Sequence, residues 1–499
     1  MRTVRYYLDR HARERPGRTW LVAPETGREF SFGQLRREAR NLCAWLLSSG
    51  LRPGDRVGFY AVNGWQTAVV FLGAMYGRFV SVPLNLVAQP AQLEYVLAHS
   101  GVQMVFADPE HAPALAARIE AAGLSTRITV MDVDAPSLFL EDRLPRGEIP
   151  APAEGDPALL MYTSGTTGRP KGCLLTHRNI VSGALYVQQA HRLTGLDRVL
   201  SSLPLYHING QIVATLGTAV QGGSVVAPHR FSVSQFWDLL ARHRCTWFNV
   251  VPTIISYLVA TTETAGLDLS KVRFGRSASA PLPPELHRAF EAKFGLSIIE
   301  TMGMTETAAP IFSNPLEPKA RKIGSVGVPV GNLARVARPD GTPAAVGEVG
   351  ELQVRGDNVM PRYYRNPEET AKAFTEDGWL KTGDLGCVDA QGAYFVTGRI
   401  KELIIKGGEN IAPREIDDAL HRHPAVLEAA AVGVPDAHYG QEILAGVVLK
   451  PGSTASEADL RAFCEKHLGR YKTPKLFRFF ESLPKGPSGK VQRLKLLAD

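Results

Sequence analysis

The residues from Met161 to Gly172, read Met-Tyr-Thr-Ser-Gly-Thr-Thr-Gly-Arg-Pro-Lys-Gly, bring hydroxyls, glycines and a cation into one short stretch. That mixture suits phosphate. Thr163, Ser164, Thr166 and Thr167 offer hydroxyl donors, Gly165 and its fellow glycines free backbone N–H groups to point at an anion, and Lys171 adds a mobile positive charge. The preceding apolar run Ala158–Tyr162 reads as a buried strand that would deliver the loop. The segment is not a Walker A loop, because Pro170 precedes Lys171 and Gly172 follows it where a Ser or Thr is required.

Five further segments carry residues that could act on the same substrate. Pro204-Leu-Tyr-His-Ile-Asn-Gly210 presents His207, which taken alone reads as a packed core histidine. Glu300-Thr-Met-Gly-Met-Thr-Glu306 ends on a hydroxyl and a carboxylate. Trp379-Leu-Lys-Thr-Gly-Asp384 ends on a carboxylate, although a Gly-Asp pair by itself is only a turn. Gly398 to Ile411 contains Arg399, Lys401, Lys406 and the Gly407-Gly408 pair, and Leu483 to Arg493 contains Lys485 and Lys490. As bare sequence this last segment is a solvated basic tail.

Order and spacing together resemble the adenylate-forming superfamily of acyl-CoA synthetases, luciferases and peptide-synthetase adenylation domains, and most closely the AMP-forming acyl-CoA synthetases. The resemblance implies an acid:CoA ligase. A carboxylate attacks the α-phosphate of Mg-ATP to give acyl-AMP, and the CoA thiol then displaces AMP. It implies roles for Thr163, Ser164, Gly165, Thr166, Thr167 and Lys171 at the phosphates, and for Thr301, Met302 and Gly303 at adenine. Thr305 would bond the α-phosphate, Glu306 would hold Mg²⁺, Asp384 would take the ribose hydroxyls, and Arg399 would lie near ribose and phosphate. His207 would border the carboxylate end of the acid, with acyl-pocket walls from Ile208, Asn209, Asn249, Ala278, Ser279 and Ala280. Lys406, Gly407 and Gly408 would meet the pantetheine arm of CoA, Lys401 would be the hinge, and Lys490 would be the catalytic lysine. Met302 departs from the family pattern, which has an aromatic residue stacking on adenine; a thioether still packs on a purine face.

Ile208 stands where amino-acid-activating relatives place an acid, which argues against an α-amino acid substrate. A carrier-protein thiol in place of CoA, a homodimer, and a luciferase-like oxygenase stay open. A catalytically silent nucleotide-binding protein would be expected to lack Lys490, Glu306 or Thr163, and all are present.

The elements that must position these groups follow from the periodicity. Arg198–Ser202, Cys245–Val251, Val272–Gly275 and Leu296–Ile299 read as strands, and 232–242 and Pro283–Phe294 as helices, an alternation that predicts layered α/β architecture. From Gly324 to Arg355 short β-prone pieces and an Asp340-Gly341 hairpin turn predict a β-rich subdomain. Beyond Gly398 an Ile/Leu strand, a helix over Pro413–His421 and a strand over Ala429–Val432 predict a small α+β unit. The expected division is an N-terminal adenylation domain over 1–400 and a mobile C-terminal domain over 401–499.

Composition bounds the class. The chain has 499 residues, 44% hydrophobic and 21% charged, in keeping with a soluble protein of more than one core. Thr67–Tyr76 and Phe248–Ala260, the most apolar stretches, fall short of the roughly 20 residues a membrane helix needs. The five cysteines, Cys43, Cys173, Cys245, Cys387 and Cys464, are odd in number and scattered, as expected of reduced thiols in a cytoplasmic protein, and Cys173 reads as buried filler. The net charge of +7 is dispersed among acids and forms no nucleic-acid module, so it reads as suiting polyanionic small molecules such as ATP and CoA.

Overall fold

The computed structural model describes residues 3–138, 148–163, 169–485 and 491–497. Ser164, Gly165, Thr166, Thr167 and Lys490 lie outside the described residues. Apolar runs that show no polar alternation become parallel strands covered on both faces. Thr19–Ala23, Ser224–Val226, Arg198–Leu200, Trp247–Val250, Phe274–Ser277 and Ile298–Met304 lie side by side in parallel. Antiparallel strands extend both edges of this sheet, Arg28–Ser31 at one and Ala309–Ser313 then Val328–Pro329 at the other.

A second sheet runs Arg362–Tyr363, Lys171–Thr176, Pro157–Thr163, Val80–Pro83, Arg56–Tyr60, Met104–Ala107 and Arg127–Val130. The helix His177–His191 touches Ala309–Ser313 of the first sheet and Pro157–Thr163 of the second, so it joins the two. Trp65–Tyr76, apolar on every side, is a helix in which every residue is buried. Phe30 stacks on Trp65 with centroids 4.1 Å apart, and each such ring buried contributes roughly 2–3 kcal/mol. Among the described residues no helix is long and apolar enough to cross a membrane.

Leu333–Ala337, Gly350–Arg355, Leu380–Val388 and Tyr394–Arg399 form a purely antiparallel sheet. The β-rich region therefore continues well past Arg355. Asp340-Gly341 forms the expected hairpin turn, closed by Gly341 N–H on the Arg338 carbonyl at 2.9 Å and Arg338 N–H on the Thr342 carbonyl at 2.8 Å, with Ala337 bridged antiparallel to Pro343. The helix expected over 232–242 begins only at Phe236, after a turn over 233–235. The strand expected from Val272 is shifted to Phe274–Ser277.

The helix Pro413–His421 forms with the bounds the sequence predicts, Pro413 opening it where a missing N–H costs nothing. It packs on a sheet of Glu409–Ile411, Ile404–Lys406, Gly440–Leu449 and Val426–Asp436, with Leu476–Phe479 alongside. Two apolar clusters in this part draw all their residues from Ile404 onward, whereas the large core ends with Tyr394.

Candidate active site

One cleft of about 1340 Å³ brings together many of the described residues singled out by the sequence: Thr163, Lys171, His207, Thr305, Glu306 and Arg399 all line it. Its volume exceeds the roughly 300–1,000 Å³ of a single drug-sized pocket, so there is room for a nucleotide and an acid together.

Thr305 and Glu306 sit on a tight turn, Thr305–Thr307, at the end of Ile298–Met304. The turn is held in place. Ala308 and Ala309 follow it with φ of 46° and 82°, a left-handed conformation that costs a residue bearing a Cβ, and Asn358 donates to the carbonyls of Thr307 at 2.9 Å and Pro310 at 2.7 Å. Gly303 is required because a Cβ there would lie 1.4 Å from the Ala309 carbonyl oxygen. The Tyr363 hydroxyl donates to Glu306 Oε1 at 2.8 Å, and burial, reinforced by the Glu306 charge, pushes the phenol pKa up, so it stays a donor. Lys171 pairs with Glu369, whose carboxyl is held below the usual range by hydrogen bonds from Lys171 and then Lys372.

Asp384 and Arg399 are register partners on adjacent strands, and Arg399 Nε donates to Asp384 Oδ1 at 2.7 Å. Asp384 is buried behind the cleft wall, and Lys401, two residues past Arg399, lines the cleft from an exposed turn. The C-terminal part contributes Lys485, Gln492 and Lys495 to the same cleft. Lys485 pairs with Glu428 at 2.6 Å and bridges Val491, while Arg493 is bound to Asp417, Glu402 and the Ala431 carbonyl, so both flanks of the 486–490 segment are anchored.

Gly407 and Gly408 do not line the cleft. Lys406 turns its ammonium inward to a buried pairing with Glu442 at 2.5 Å, flanked by the rings of Tyr439 and Tyr471. Thr301 is buried against the Ser277 carbonyl, and Met302 packs on the large core. Cys173 is buried beside Met360, and burial pushes its thiol pKa well up, so it is an inert filler as expected.

The acyl-pocket residues divide. Ile208, Asn209, Ala278 and Ser279 line the cleft, whereas Ala280 does not and Asn249 is fully buried behind Asn209. Asn209 opens a π-helical stretch, Asn209–Leu216, a rare winding that recurs at functional sites. Its Oδ1 accepts from Asn249 Nδ2 at 3.1 Å and from Arg276 Nη1 at 2.9 Å, and its Nδ2 donates to Ser279 Oγ at 3.2 Å.

Arg276 was not among the sequence candidates. It lines the cleft with 2% of its surface exposed, and its signal was available: an arginine in the middle of an otherwise buried strand. Tyr363 and Glu369 were missed for a different reason, since only tertiary contact brings them to Glu306 and Lys171, 57 and 198 residues away in sequence.

Two family models match the chain, "AMP-binding enzyme" over residues 8–364 and "AMP-binding enzyme C-terminal domain" over 415–490. The chain belongs to the AMP-binding enzyme family. Among this family's members, the chain is 55% identical to the sulfoacetate–CoA ligase of Cupriavidus necator over 97% of its own length and 95% of the relative's. It is 36% identical to the oxalate–CoA ligase of Arabidopsis thaliana over 89% and 88%. The ATP-bound MatB of Rhodopseudomonas palustris superposes with a TM-score of 0.89 at 32% identity, covering 99% of this chain and 98% of that one. The anthranilate CoA ligase AuaEII in complex with anthranoyl-AMP gives 0.90 at 28%, covering 99% and 96%. This AMP-binding enzyme is an ATP-dependent acid:CoA ligase of the AMP-forming, adenylate-forming type, with the large and small α/β parts expected of it.

Proposed function

We propose that this one cleft serves both half-reactions and that the acid is a short one, like those named for the sulfoacetate– and oxalate–CoA ligases the chain resembles. The acid's carboxylate attacks the α-phosphate of ATP, pyrophosphate leaves, and the CoA thiol then attacks the acyl carbon and expels AMP. His207 borders the carboxylate, Thr305 bonds the α-phosphate, and Asp384 with Arg399 fixes the ribose. Thr163, Ser164, Gly165, Thr166, Thr167 and Lys171 hold the β- and γ-phosphates, which requires Lys171 to exchange Glu369 for pyrophosphate oxygens. Lys490 neutralises the charge that builds between carboxylate and α-phosphate. Lys485, its competitor in sequence, is already committed to Glu428.

The observation that carries this reading is the convergence on one cleft of the Thr305–Glu306 turn, Arg399, His207 and both flanks of the Lys490 segment. Among the described residues no group of three or more His, Cys, Asp or Glu could hold a metal alone. A lone carboxylate at Glu306 fits Mg²⁺, which takes one or two carboxylates and fills its shell with phosphate oxygens and water. When bound, Mg²⁺ would neutralise the departing pyrophosphate.

After acyl-AMP forms, the domain beyond Lys401 turns about that residue, withdrawing Lys490 and bringing Gly407 and Gly408 to the pantetheine arm. The position of Gly407 and Gly408 outside the cleft is in keeping with the first of these two arrangements. The five free cysteines are in keeping with a cytoplasmic enzyme.

Acid-dependent exchange of pyrophosphate into ATP without CoA tests the sequence of steps. Exchange is expected before CoA is added, with thioester and AMP appearing afterwards. Exchange that requires CoA would overturn the two-step reading.

A further inference from the structure

Arg276 and Asn249 are aligned across the parallel strands Phe274–Ser277 and Trp247–Val250, so their side chains leave the sheet on the same face. There the guanidinium meets two neutral amides. Arg276 Nη1 donates to Asn209 Oδ1 at 2.9 Å and to Asn249 Oδ1 at 3.0 Å, while Nε is buried with no hydrogen-bond partner.

No carboxylate among the described residues lies within 4 Å of Arg276. Asp197, which reaches the start of this strand, is paired with Arg273 at 2.6 Å. Glu300 is aligned with Ser277, so it leaves the opposite face, where it accepts from Leu282 N–H at 3.1 Å. His191, which feels the Arg276 charge, is held neutral, its pKa pushed down to about 3 chiefly by burial. Burial also pushes the Arg276 guanidinium down, to about 9. A buried cation without a counter-ion is a costly thing to fold around.

The neighbouring wall of the cleft is strained. Ser279, a residue with a Cβ, adopts φ of 74°. Its Oγ accepts from Asn209 Nδ2, which leaves its own proton to donate to an acceptor in the cleft. Arg276, three residues earlier, lines the same wall.

We infer that Arg276 and Ser279 seat a second anionic group of the acid, so that the substrate is a short acid carrying a carboxylate or sulfonate at its far end. The free guanidinium edge and the Ser279 hydroxyl donate to that group. Asn209 and Asn249 hold the guanidinium rigid without neutralising it, which a carboxylate in either place would do. Arg276 thereby sets specificity, since an acid without the second charge leaves its buried donors unpaired. The inference rests on the acid binding beside His207, as proposed above.

Wild-type kcat/KM for thioester formation is to be measured with sulfoacetate and malonate, and with propanoate and butanoate as singly charged counterparts. The two dianions should exceed the other acids by on the order of 10³-fold, as expected when buried donors go unsatisfied. Whichever dianion leads identifies the sulfonate or the carboxylate as the natural group. Arg276→Met should lower the value for the better dianion by on the order of 10²-fold while leaving or raising that for butanoate, and Arg276→Lys should keep the wild-type order of acids. Ser279→Ala, a milder change, should reduce the dianion value alone. A wild-type enzyme that uses butanoate as well as either dianion overturns the anion seat while leaving the ligase reading intact. So do variants that depress all acids by one factor. No thioester from any acid overturns both.

Discussion

Arg399 and Asp384 face each other from neighbouring antiparallel strands, with Nε 2.7 Å from Oδ1 and the carboxylate 4% exposed. Asp384 raises the Arg399 pKa more than burial lowers it, so the guanidinium stays charged over the working pH range. Asp384→Asn keeps the shape and removes the charged acceptor. It should raise the KM for ATP by roughly 10- to 100-fold, with a smaller change in kcat. Initial rates over an ATP series check this; an unchanged ATP dependence would remove Asp384 from the ribose site.

Tyr363→Phe deletes the donor that orients the Glu306 carboxylate. A hydrogen bond to a charged group contributes about 1.5–3 kcal/mol, so the Mg²⁺ concentration giving half-maximal rate should rise by about tenfold. Titrating Mg²⁺ at saturating ATP reads the effect. Equal Mg²⁺ dependence in the two proteins would mean that Glu306 does not hold the cation.

Lys490→Ala should slow acyl-AMP formation by roughly 10²- to 10⁴-fold while sparing thioester formation from supplied acyl-AMP, because charge builds at the α-phosphate only in the first step. Equal loss in both halves would contradict this role.

Lys401→Pro fixes φ at the proposed pivot and should slow thioester formation far more than acyl-AMP formation. Single-turnover rates of the two steps, at matched amounts of folded protein, separate a hindered rotation from simple destabilisation. A uniform loss would favour destabilisation.

Glu300 is buried, with Oε2 unpartnered, and burial raises its pKa from 4.5 to about 7. Between these values the folded chain holds a proton that the unfolded chain has released, so this group makes stability fall as pH rises across that window. At about 1.4 kcal/mol per pH unit the loss approaches about 3 kcal/mol by pH 7. Glu300→Gln accepts the Leu282 N–H without ionising. The variant should gain stability relative to wild type from pH 5 to pH 8, as read from urea midpoints. A constant difference across that range would show that Glu300 does not titrate there.

What the sequence alone determined is local in its physics. The glycines and hydroxyls before Lys171 and the Thr305-Glu306 pair are recognisable because each group lies in a few consecutive residues. The parallel strands were legible as unbroken apolar runs, and the helix Pro413–His421 as a proline start followed by amphipathic spacing. Element starts resisted: the helix begins only at Phe236, after a turn, whereas the Asp340-Gly341 hairpin turn formed as its residue types predict. What only the tertiary structure decided depends on register and long-range contact. Arg276 becomes a cleft-lining cation because alignment with Asn249 and the π-helical placement of Asn209 give it amides instead of a carboxylate. Tyr363 reaches Glu306, and Glu369 reaches Lys171, through folds of chain that no local pattern announces. A side chain's type is written in the sequence, but the charge it is left facing is set by what the fold packs against it.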